Sequence, residues 1–507
     1  MKSINNIFKK VCILAIVTSM AGCDMLDTKP YDFVAPETFY KNETDCTMAL
    51  AGVYWTMAAE HVYGNRYSCM LSNIDDLSYY YRQNQTSAVV ANSHNTGNTD
   101  LWYTWESLYS GINNANVLLD NIDGASISDE KVRARIKGEA KFLRAYYHFL
   151  LVQGWYEVPI RKETVKDITV SSLEATPHAE ALDWIIQEME DCLDMVDDSN
   201  YDASPSHVKK TVVEGILARV CLWRAGEPSK GGKPYYEKAA KYAKAVYDSK
   251  KHKLNPDVYA MWKALASDQY ETTYNESMWE VEFVGTRDDG SYTESRIGNV
   301  IGNLQENSAG TGAGYTYAFY AGLILWDLYD AKDARRDLAM APYKLNNKDV
   351  QVAWKDNQIV DRRCGKYRRE WESSSPKHKN YTQENYCLLR YADVLLMLAE
   401  AENEANQGPT ALAYTCINEV RKRAGIDEVK DLSYGDFQKL IRDERGRELC
   451  FESLRKYDLV RWGIYYKAIK EDLGAAVNDA RWSTANNAKG AAQYVSNTTE
   501  KNQFLPI

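Results

Sequence analysis

Signatures of catalysis are scarce in this sequence of 507 residues. Its seven histidines are isolated and no HxxxH pair occurs, so the simple helical zinc spacing is missing. No GxSxG elbow and no CxxC pair is present. Two pairs of adjacent carboxylates, Asp75 with Asp76 and Asp288 with Asp289, do not form the pair that a glycosidase needs across a cleft. The pattern therefore argues against an enzyme.

Positive charge is also in deficit. The chain has 61 lysines and arginines against 71 aspartates and glutamates, a formal net charge of −10, and its pI is near 5.4. A nucleic-acid partner is not expected, because phosphate groups need a basic face. The one dense basic run consists of Arg362, Arg363, Lys366, Arg368 and Arg369. Such a run is usually a solvated face, and the alternative is a contact with an acidic or sulfated sugar.

A long hydrophobic run is absent, but a short one follows the N-terminus. Val11–Ala21 is mostly apolar and too short to span a bilayer, and three lysines precede it. A basic start, a short apolar core and small residues before a cleavage point describe a secretory signal. The sequence Ala21-Gly22-Cys23 further resembles a lipobox, with Met20 in place of the usual leucine, in which Cys23 receives the lipid. A plain signal with a chance cysteine is the alternative.

Cysteines occur without the spacing of a metal or redox site. Eight remain besides Cys12 and Cys23, and neighbouring ones lie more than twenty residues apart. Several fall inside apolar helical patterns, for example Cys192 and Cys416, where free thiols behave as small hydrophobes. An oxidising compartment would permit disulfides, but spacing cannot pair them. Free thiols in the core are the prediction.

Two helical hairpins stand out in the hydrophobic pattern. Leu388–Gly425 has apolar residues at helical spacing on both sides of a Gly408-Pro409 break, and small alanines allow the two helices to approach closely. Val212–Trp223 and Tyr235–Tyr247 repeat this arrangement upstream. Such hairpins resemble tetratricopeptide (TPR) repeats. Because the two copies are far apart in the chain, we expect scattered units within a larger helical body.

Other periodic segments predict a largely helical chain with irregular stretches between the helices. Further helices are predicted at Glu43–Met57, Leu101–Asp123, Ser128–Trp155, 175–196, 320–329, 434–450 and 452–467. One strand is expected at Met278–Val284. Long loops are expected at 61–100, over much of 252–318 and up to about 385, and the chain from 470 onward is expected to be loop-like. The predicted fold is mostly α, a TPR-like helical scaffold with long irregular loops and little β.

Several motifs resemble the SusD/RagB family of glycan-binding outer-membrane lipoproteins. LDTKP, APETFY and ALAGVY lie near the start, followed by the pattern from Trp105 to Asn116 and by GEAKFLRAY. The C-terminal part carries LLRYADVLLMLAEA, INEVRKRAG and IRDERGRELCFESLRKYDLVRW. The motifs cover nearly all of the chain in the expected order. The sequence departs from the family at Gly446, where a larger residue is usual, and after Ile507, where relatives usually continue, which predicts a shortened C-terminus.

The resemblance implies a signal peptide at 1–22 and a single SusD-like domain at 23–507, with an N-terminal part of about 23–250 and a C-terminal part of about 270–507. Its fold would contain four TPR-like units. The expected location is the outer membrane of a Gram-negative cell, with a lipid anchor at Cys23 and exposure at the surface. The implied function is capture of an oligosaccharide or polysaccharide, without catalysis, and its delivery to a SusC-like TonB-dependent transporter. The alternatives are a TPR-type structural lid without glycan affinity and a secreted glycoside hydrolase.

Glycan-binding residues are expected in two aromatic loops, where relatives place their ligand contacts. A sugar ring needs an aromatic platform and planar polar partners. Trp102 and Tyr315 are predicted as platforms, with Asp76 and Arg82 holding hydroxyl groups, and Trp105 is assigned to the core. The full candidate set is Asp76, Tyr79, Arg82, Trp102, Tyr292, Tyr315 and Tyr317. For each of these residues the alternative is a solvated or packing role.

No cofactor is expected. The acidic loop at 286–294 could hold a structural calcium ion through its oxygens, but it lacks the alternating ligands of an EF-hand. A structural cation therefore stays an open alternative.

Overall fold

α-Helices make up most of the regular structure, in agreement with the periodicity of the sequence. The structure, a computed structural model, describes residues 39–80, 88–165, 172–198, 204–283, 295–316, 319–482 and 488–504. The α-helices are α1 Glu43–Ala58, α2 Thr99–Asn121, α3 Glu130–Trp155, α4 His178–Glu190, α5 Lys210–Ala225, α6 Lys233–Ser249, α7 Ala260–Ala266, α8 Ile297–Val300, α9 Leu323–Leu328, α10 Arg336–Ala339, α11 Tyr391–Asn406, α12 Ala411–Arg423, α13 Tyr434–Leu449, α14 Arg455–Arg461, α15 Tyr465–Lys467, α16 Gly474–Ala476 and α17 Ala488–Asn497. None of these described helices combines the length and the apolar character that crossing a bilayer requires.

The helices stack into one TPR-like array. Each helix from α1 to α6 packs against the next, and α11 packs against both α6 and its own hairpin partner α12. Lys233 of α6 donates to the carbonyl oxygen of Ala405 in α11 at 2.7 Å, and Arg219 of α5 pairs with Asp393 of α11 at 2.7 Å. The two hairpins found in the sequence are therefore neighbours, and the expectation that they are scattered units is wrong. The chain leaves the array after α6 and rejoins it at α11.

Strands are short and pair in twos. The antiparallel pairs are β1 Ser78–Tyr80 with β3 Phe319–Ala321, β2 Ser277–Val281 with β6 Tyr386–Arg390, and β4 Tyr343–Leu345 with β5 Gln351–Ala353. The strand predicted near Met278 is confirmed as β2. Leu388, predicted to begin a helix, lies in β6 instead, and the helix begins at Tyr391. A short apolar run is compatible with either period, so the sequence could not decide this boundary.

The stretch 61–100, predicted as a long loop, is partly regular and largely buried where it is described. Two π-helical turns, Glu60–Gly64 and Arg66–Leu71, lead towards β1. Tyr67 and Leu71 are 2% and 0% exposed and belong to the main core. The loop prediction is wrong here, because the polar composition that indicated a loop is satisfied by internal hydrogen bonds such as that of Ser78 with Asn73.

The segment after residue 470 is also more regular than predicted. It contains the π-helical stretch Ala468–Leu473, helix α17 and a short 3₁₀-helix at Glu500–Gln503. Tyr494 of α17 is 3% exposed, and its hydroxyl hydrogen-bonds with that of Tyr465. Buried tyrosine pairs of this kind bring a polar segment into the core without an apolar run in the sequence.

Two glycines lie where an added side chain would meet a neighbouring segment at close range. A Cβ on Gly226, at the end of α5, would overlap the carbonyl oxygen of Arg461. A Cβ on Gly446, inside α13, would lie 3.2 Å from side-chain carbons of both Leu77 and Leu328. Glycine in a helix interior costs about 1 kcal/mol relative to alanine. At Gly446 that cost accompanies a close approach of α13 to Leu328 of α9 and to Leu77, just before β1.

A network of buried ion pairs joins the elements of the C-terminal half. Glu448 of α13 accepts hydrogen bonds from Arg335, Arg390 and Arg423, and Glu452 accepts from Arg390. These five side chains are at most 7% exposed. Because an unpaired buried charge is strongly unfavourable, each arginine must stay near its glutamate. The network therefore fixes β6, α12 and α13 relative to one another.

The basic run Arg362, Arg363, Lys366, Arg368 and Arg369 is internal. All five residues are at most 8% exposed. Lys366 pairs with Glu452, and Arg369 pairs with Glu372 at 2.7 Å. Both interpretations drawn from the sequence, a solvated face and a contact with an acidic sugar, are therefore wrong. The carboxylates that neutralise the run include one that lies more than eighty residues away, so the local charge pattern could not reveal them.

All eight cysteines of the described chain are buried free thiols, as predicted. Burial raises the pKa of Cys69 and of Cys364 to about 12, so both thiols stay protonated at neutral pH. We expect a protein lacking residues 1–23 to react negligibly with Ellman's reagent when folded and to release eight equivalents after unfolding in guanidinium chloride. Fewer equivalents in the unfolded, non-reduced protein would reveal disulfides and contradict the prediction.

Candidate functional site

A groove runs along the outward face of α2, between this helix and the segment 158–165. Its volume is about 570 Å³. It is lined by Trp102, Trp105, Glu106, Tyr109, Ser110, Asn113, Asn114, Pro159, Arg161 and Val165. The lining residues of α2 recur at three- and four-residue intervals, so they share one face of the helix. This face is half aromatic and half polar.

Trp102 lies in the first turn of α2 and is 63% exposed. The side chain of Asn98 caps the helix by accepting a hydrogen bond from the Leu101 amide at 3.1 Å. One turn along, the Thr104 hydroxyl donates to the carbonyl oxygen of His61 at 2.9 Å. The backbone beneath Trp102 is therefore held on both sides, while most of the indole ring faces solvent.

Trp105 and Tyr109 continue the aromatic wall. Their ring centroids are 4.9 Å apart, and Trp105 also meets the ring of Trp155 edge-on at 5.4 Å. The Tyr109 hydroxyl donates to the carbonyl oxygen of Pro159 at 2.7 Å, and burial raises the pKa of this hydroxyl well above its usual range. The assignment of Trp105 to the core needs correction, because this ring packs against Trp155 and at the same time lines the groove.

The opposite wall is held in place by buried hydrogen bonds. Arg144 of α3 donates to the side-chain oxygen of Asn116 at 2.6 Å and to the carbonyl oxygen of Lys162 at 2.8 Å. The Arg161 amide donates to the Nε2 atom of His148 at 3.0 Å. Burial lowers the pKa of His148 to about 3, which keeps that ring neutral and able to accept the bond. The segment 158–165 is therefore fixed against α2 and α3.

The polar part of the groove consists of amide, hydroxyl and charged groups. Asn113 and Asn114 are exposed on α2, beside Ser110 and Glu106. Planar amides can donate to and accept from neighbouring hydroxyl groups of a ligand at the same time. Glu106 is the only carboxylate among the lining residues that the structure describes. The groove can therefore hold a polyhydroxylated ring against an aromatic wall, and it lacks a second carboxylate facing Glu106.

Asp76 and Tyr79 do not lie at this surface. Both carboxylate oxygens of Asp76 accept hydrogen bonds from Arg455, at 2.8 and 2.7 Å, and the residue is 4% exposed. Tyr79 is 1% exposed, donates to the carbonyl oxygen of Val360 at 2.9 Å and packs against Trp482. These contacts correct their assignment as ligand contacts, because each side chain is already used inside the core.

Tyr315 is 39% exposed but is not among the residues that line the groove. Its amide donates to the side-chain oxygen of Asn307 at 3.0 Å, and its carbonyl oxygen accepts from Asn299 at 3.1 Å. The guanidinium of Arg363 lies 5.6 Å from the centre of its ring. Tyr315 is thus a second supported aromatic surface on a different segment from Trp102.

The remaining candidates lie outside the described residues. These are Arg82, Tyr292 and Tyr317, and the same is true of the acidic loop 286–294 proposed for calcium. Among the described residues, no group of three or more histidine, cysteine, aspartate or glutamate side chains is arranged to hold a metal ion.

Sequence reasoning missed Tyr109, Asn113 and Asn114. The signal was available, because these positions follow Trp102 along one helical face. The prediction focused on two aromatic loops, 73–105 and 285–320, whereas the groove uses the outward side of α2 itself.

Two family models match the chain in sequence order. One is described as starch-binding and associating with the outer membrane, a SusD-like model, and it matches residues 24–222. The other is that of the SusD family and matches residues 275–507. Together the two matches span both parts of the chain on either side of 250–270.

Individual relatives agree with these matches. SusD-like protein P2 of Formosa agariphila is 25% identical over 475 residues, covering 89% of this chain and 90% of that protein. The crystal structure of a SusD homologue from Bacteroides thetaiotaomicron is 26% identical with a TM-score of 0.83, covering 92% of this chain and 94% of that one. Surface glycan-binding protein A from Bacteroides uniformis shares the fold at 22% identity and a TM-score of 0.67, covering 83% and 88%.

Proposed function

Because the chain belongs to the SusD/RagB family, we propose that it binds an oligosaccharide in the groove along α2 and delivers it uncleaved to a SusC-like TonB-dependent transporter. The observation that carries this proposal is the exposed ring of Trp102 beside the wall formed by Trp105 and Tyr109. One of the two matching family models is described as starch-binding, which supports the ligand class. The name of the Bacteroides uniformis relative supports a glycan as well.

The chemistry of the groove fits a saccharide. A sugar ring has an apolar C–H face, which an indole can cover, and a rim of hydroxyl groups, which Asn113 and Asn114 can meet. The absence of catalysis is part of the proposal. Hydrolysis of a glycosidic bond needs two carboxylates on opposite sides of the bond, and Glu106 has no such partner among the described lining residues.

The proposal places the protein at the outer membrane through a lipid on Cys23. The support is the lipobox-like sequence before Cys23 and the description of one family model as associating with the outer membrane. We further propose that the chain from 23 to 507 acts as one domain at the cell surface, after removal of residues 1–22.

Tyr315 is retained as a proposed second platform. The residue is 39% exposed, and the guanidinium of Arg363 lies 5.6 Å from the centre of its ring. A cation over one face of a phenol ring holds the ring in place, and the exposed part can then cover a sugar. Arg82, Tyr292 and Tyr317 stay predicted contacts.

A structural lid is the second candidate function, and the outward face of α1 favours it. Met48 and Trp55 are 52% and 60% exposed on this face, and no charged residue occurs from Cys46 to Ala59. An exposed apolar surface of this kind marks contact with another protein. In both candidates this face contacts the transporter, and only the first candidate also has affinity for a glycan.

A polysaccharide panel separates the candidates. We expect native gels that contain the correct polysaccharide to retard the protein, with no release of reducing ends during prolonged incubation. No retardation by any polysaccharide would favour the lid, and new reducing ends would establish a hydrolase. Bovine serum albumin on the same gels is the control for non-specific retardation.

A further inference from the structure

A second cleft opens between the start of α5 and β2. Its volume is about 310 Å³, and its lining includes Asp198, Lys209, His252, Glu271 and Glu280. It shares no lining residue with the groove along α2. Small-ligand pockets begin at about 300 Å³, so this cleft suits a single small ring rather than a chain.

The polar groups of one wall of the cleft already have hydrogen-bond partners within the protein. Asp198 accepts from the Thr211 amide at 2.9 Å and from the Lys251 amine at 2.6 Å. Both ring nitrogens of His252 are engaged, Nδ1 with the carbonyl oxygen of Asn275 at 2.8 Å and Nε2 with the Thr211 hydroxyl at 3.1 Å. This wall is therefore rigid and adds little capacity for a ligand.

Other lining groups can still form hydrogen bonds or ion pairs with a ligand. Glu271 Oε1 accepts two backbone N–H groups, but its Oε2 is shielded from solvent and has no hydrogen-bond partner. Lys209 is half-buried and has no hydrogen-bond or ion-pair partner among the described residues. Glu280 is 3% exposed, and its Oε2 accepts from the side-chain amide of Asn385 at 3.1 Å.

The carboxylates near Glu280 carry more negative charge than the neighbouring amines of the cleft neutralise. Burial raises the pKa of Glu280 to about 7, and the nearby carboxylates of Glu282 and Asp268 add to this rise. Burial, followed by Glu282, also raises the pKa of Asp268. Lys209 is the one amine of the described lining that forms no ion pair at contact distance, although the charge of Asp198 acts on it and partly opposes the lowering of its pKa by burial. A ligand group with a positive charge would relieve the repulsion among these carboxylates.

We propose that this cleft binds a hexosamine, with its ammonium group against Glu271 and Glu280 and its hydroxyl groups towards Lys209. The positive group follows from the carboxylates of Glu271 and Glu280, which line the cleft together with one amine, Lys209, that forms no ion pair among the described residues. Tyr270, which is 41% exposed, supplies apolar surface for the C–H face of the ring. The choice of a sugar rests on the proposed glycan-binding function, whereas the positive group rests on the cleft alone.

Calorimetric titration of the whole mature chain with glucosamine, N-acetylglucosamine and glucose tests the charge requirement. N-acetylation removes the charge but keeps the ring, and glucose replaces the amine with a hydroxyl. Glucosamine is expected to bind at least about tenfold more tightly than either neutral sugar, as the loss of a charge-assisted hydrogen bond predicts. Equal affinities, undetectable glucosamine binding, or displacement of glucosamine by equimolar calcium would each overturn the proposal.

Matched variants test whether glucosamine binding depends on this cleft. Glu271→Gln is expected to weaken glucosamine binding by about tenfold. Glu180→Gln, on the exposed side of α4, should leave it unchanged. Loss of binding in both variants, or in neither, contradicts the assignment. Trp102→Ala should retain glucosamine binding, so a failure of the groove to bind glycan and a failure of this cleft are separate results.

Discussion

Replacement of Glu448 by glutamine is expected to lower the free energy of unfolding by about 3–5 kcal/mol. The Glu448 carboxylate accepts hydrogen bonds from Arg335 at 2.8 Å, from Arg390 at 2.6 Å and from Arg423. Glu448 itself is 4% exposed. The variant keeps the size of the side chain but leaves three buried guanidinium groups short of one negative charge. Urea denaturation followed by circular dichroism measures the change.

The control for this experiment is Glu428→Gln, in the exposed connection between α12 and α13. An exposed change of this type usually alters stability by less than about 0.5 kcal/mol. If Glu448→Gln and Glu428→Gln lose the same stability and so unfold at the same urea concentration, the network does not hold the C-terminal half together. That result would contradict the prediction.

The dependence of the free energy of unfolding on pH should also change in Glu448→Gln, at the acidic end. Burial opposes ionisation of Glu448, but Arg423, Arg390 and Arg335 outweigh it and hold the pKa of this carboxyl well below its usual range. A depressed folded-state pKa gives stability that is present above the unfolded-state pKa, about 4.3, and is lost as the pH falls below it. Glu448→Gln removes this contribution, so its stability should fall less steeply with acid than that of the unchanged protein.

Trp102→Ala is expected to weaken glycan binding by about thirtyfold, which corresponds to about 2 kcal/mol. Large aromatic side chains dominate binding energies when they cover an apolar ligand face, and Trp102 is the most exposed aromatic residue of the groove. The ring contributes little to folding because it is 63% exposed. The melting temperature should therefore stay nearly unchanged. Affinity gels with the polysaccharide identified by the panel measure the loss.

Trp55→Ala is the matched control for Trp102→Ala. Trp55 is also an exposed tryptophan on a helix, at 60%, and does not line the groove. It should keep full retention by the polysaccharide. Tyr315→Ala tests the proposed second platform in the same gels. If Trp102→Ala and Tyr315→Ala both bind as well as the unchanged protein, the proposed glycan site is refuted.

Helix positions were predictable because they depend on neighbours in the sequence. The predicted helix Glu43–Met57 is observed as Glu43–Ala58, and 434–450 is observed as Tyr434–Leu449. Apolar residues at intervals of three and four determine which face a helix buries, whatever the rest of the chain does. The adjacency of the hairpins was not predictable, since Arg219 and Asp393 are 174 residues apart.

The candidate site was predicted only in part. Trp102 was identified as an exposed aromatic residue and indeed faces solvent, but Asp76 and Tyr79 share its polar, aromatic surroundings in the sequence and are buried. Local composition does not distinguish a tyrosine on the surface from a tyrosine in the core. The partner decides between them, and for Asp76 the partner is Arg455, 379 residues away.

The amino-acid sequence by itself determined the helical character of this protein and its membership of the SusD/RagB family, because the first follows from local periodicity and the second from ordered motifs. Only the tertiary structure decided which charged and aromatic side chains are internal. Burial depends on contacts between distant segments, as in the basic run Arg362–Arg369, whose carboxylate partners close around it only after folding. The groove itself is likewise a product of packing, since residues 158–165 lie against α2 through tertiary contacts such as the hydrogen bond from the Tyr109 hydroxyl to the Pro159 carbonyl oxygen.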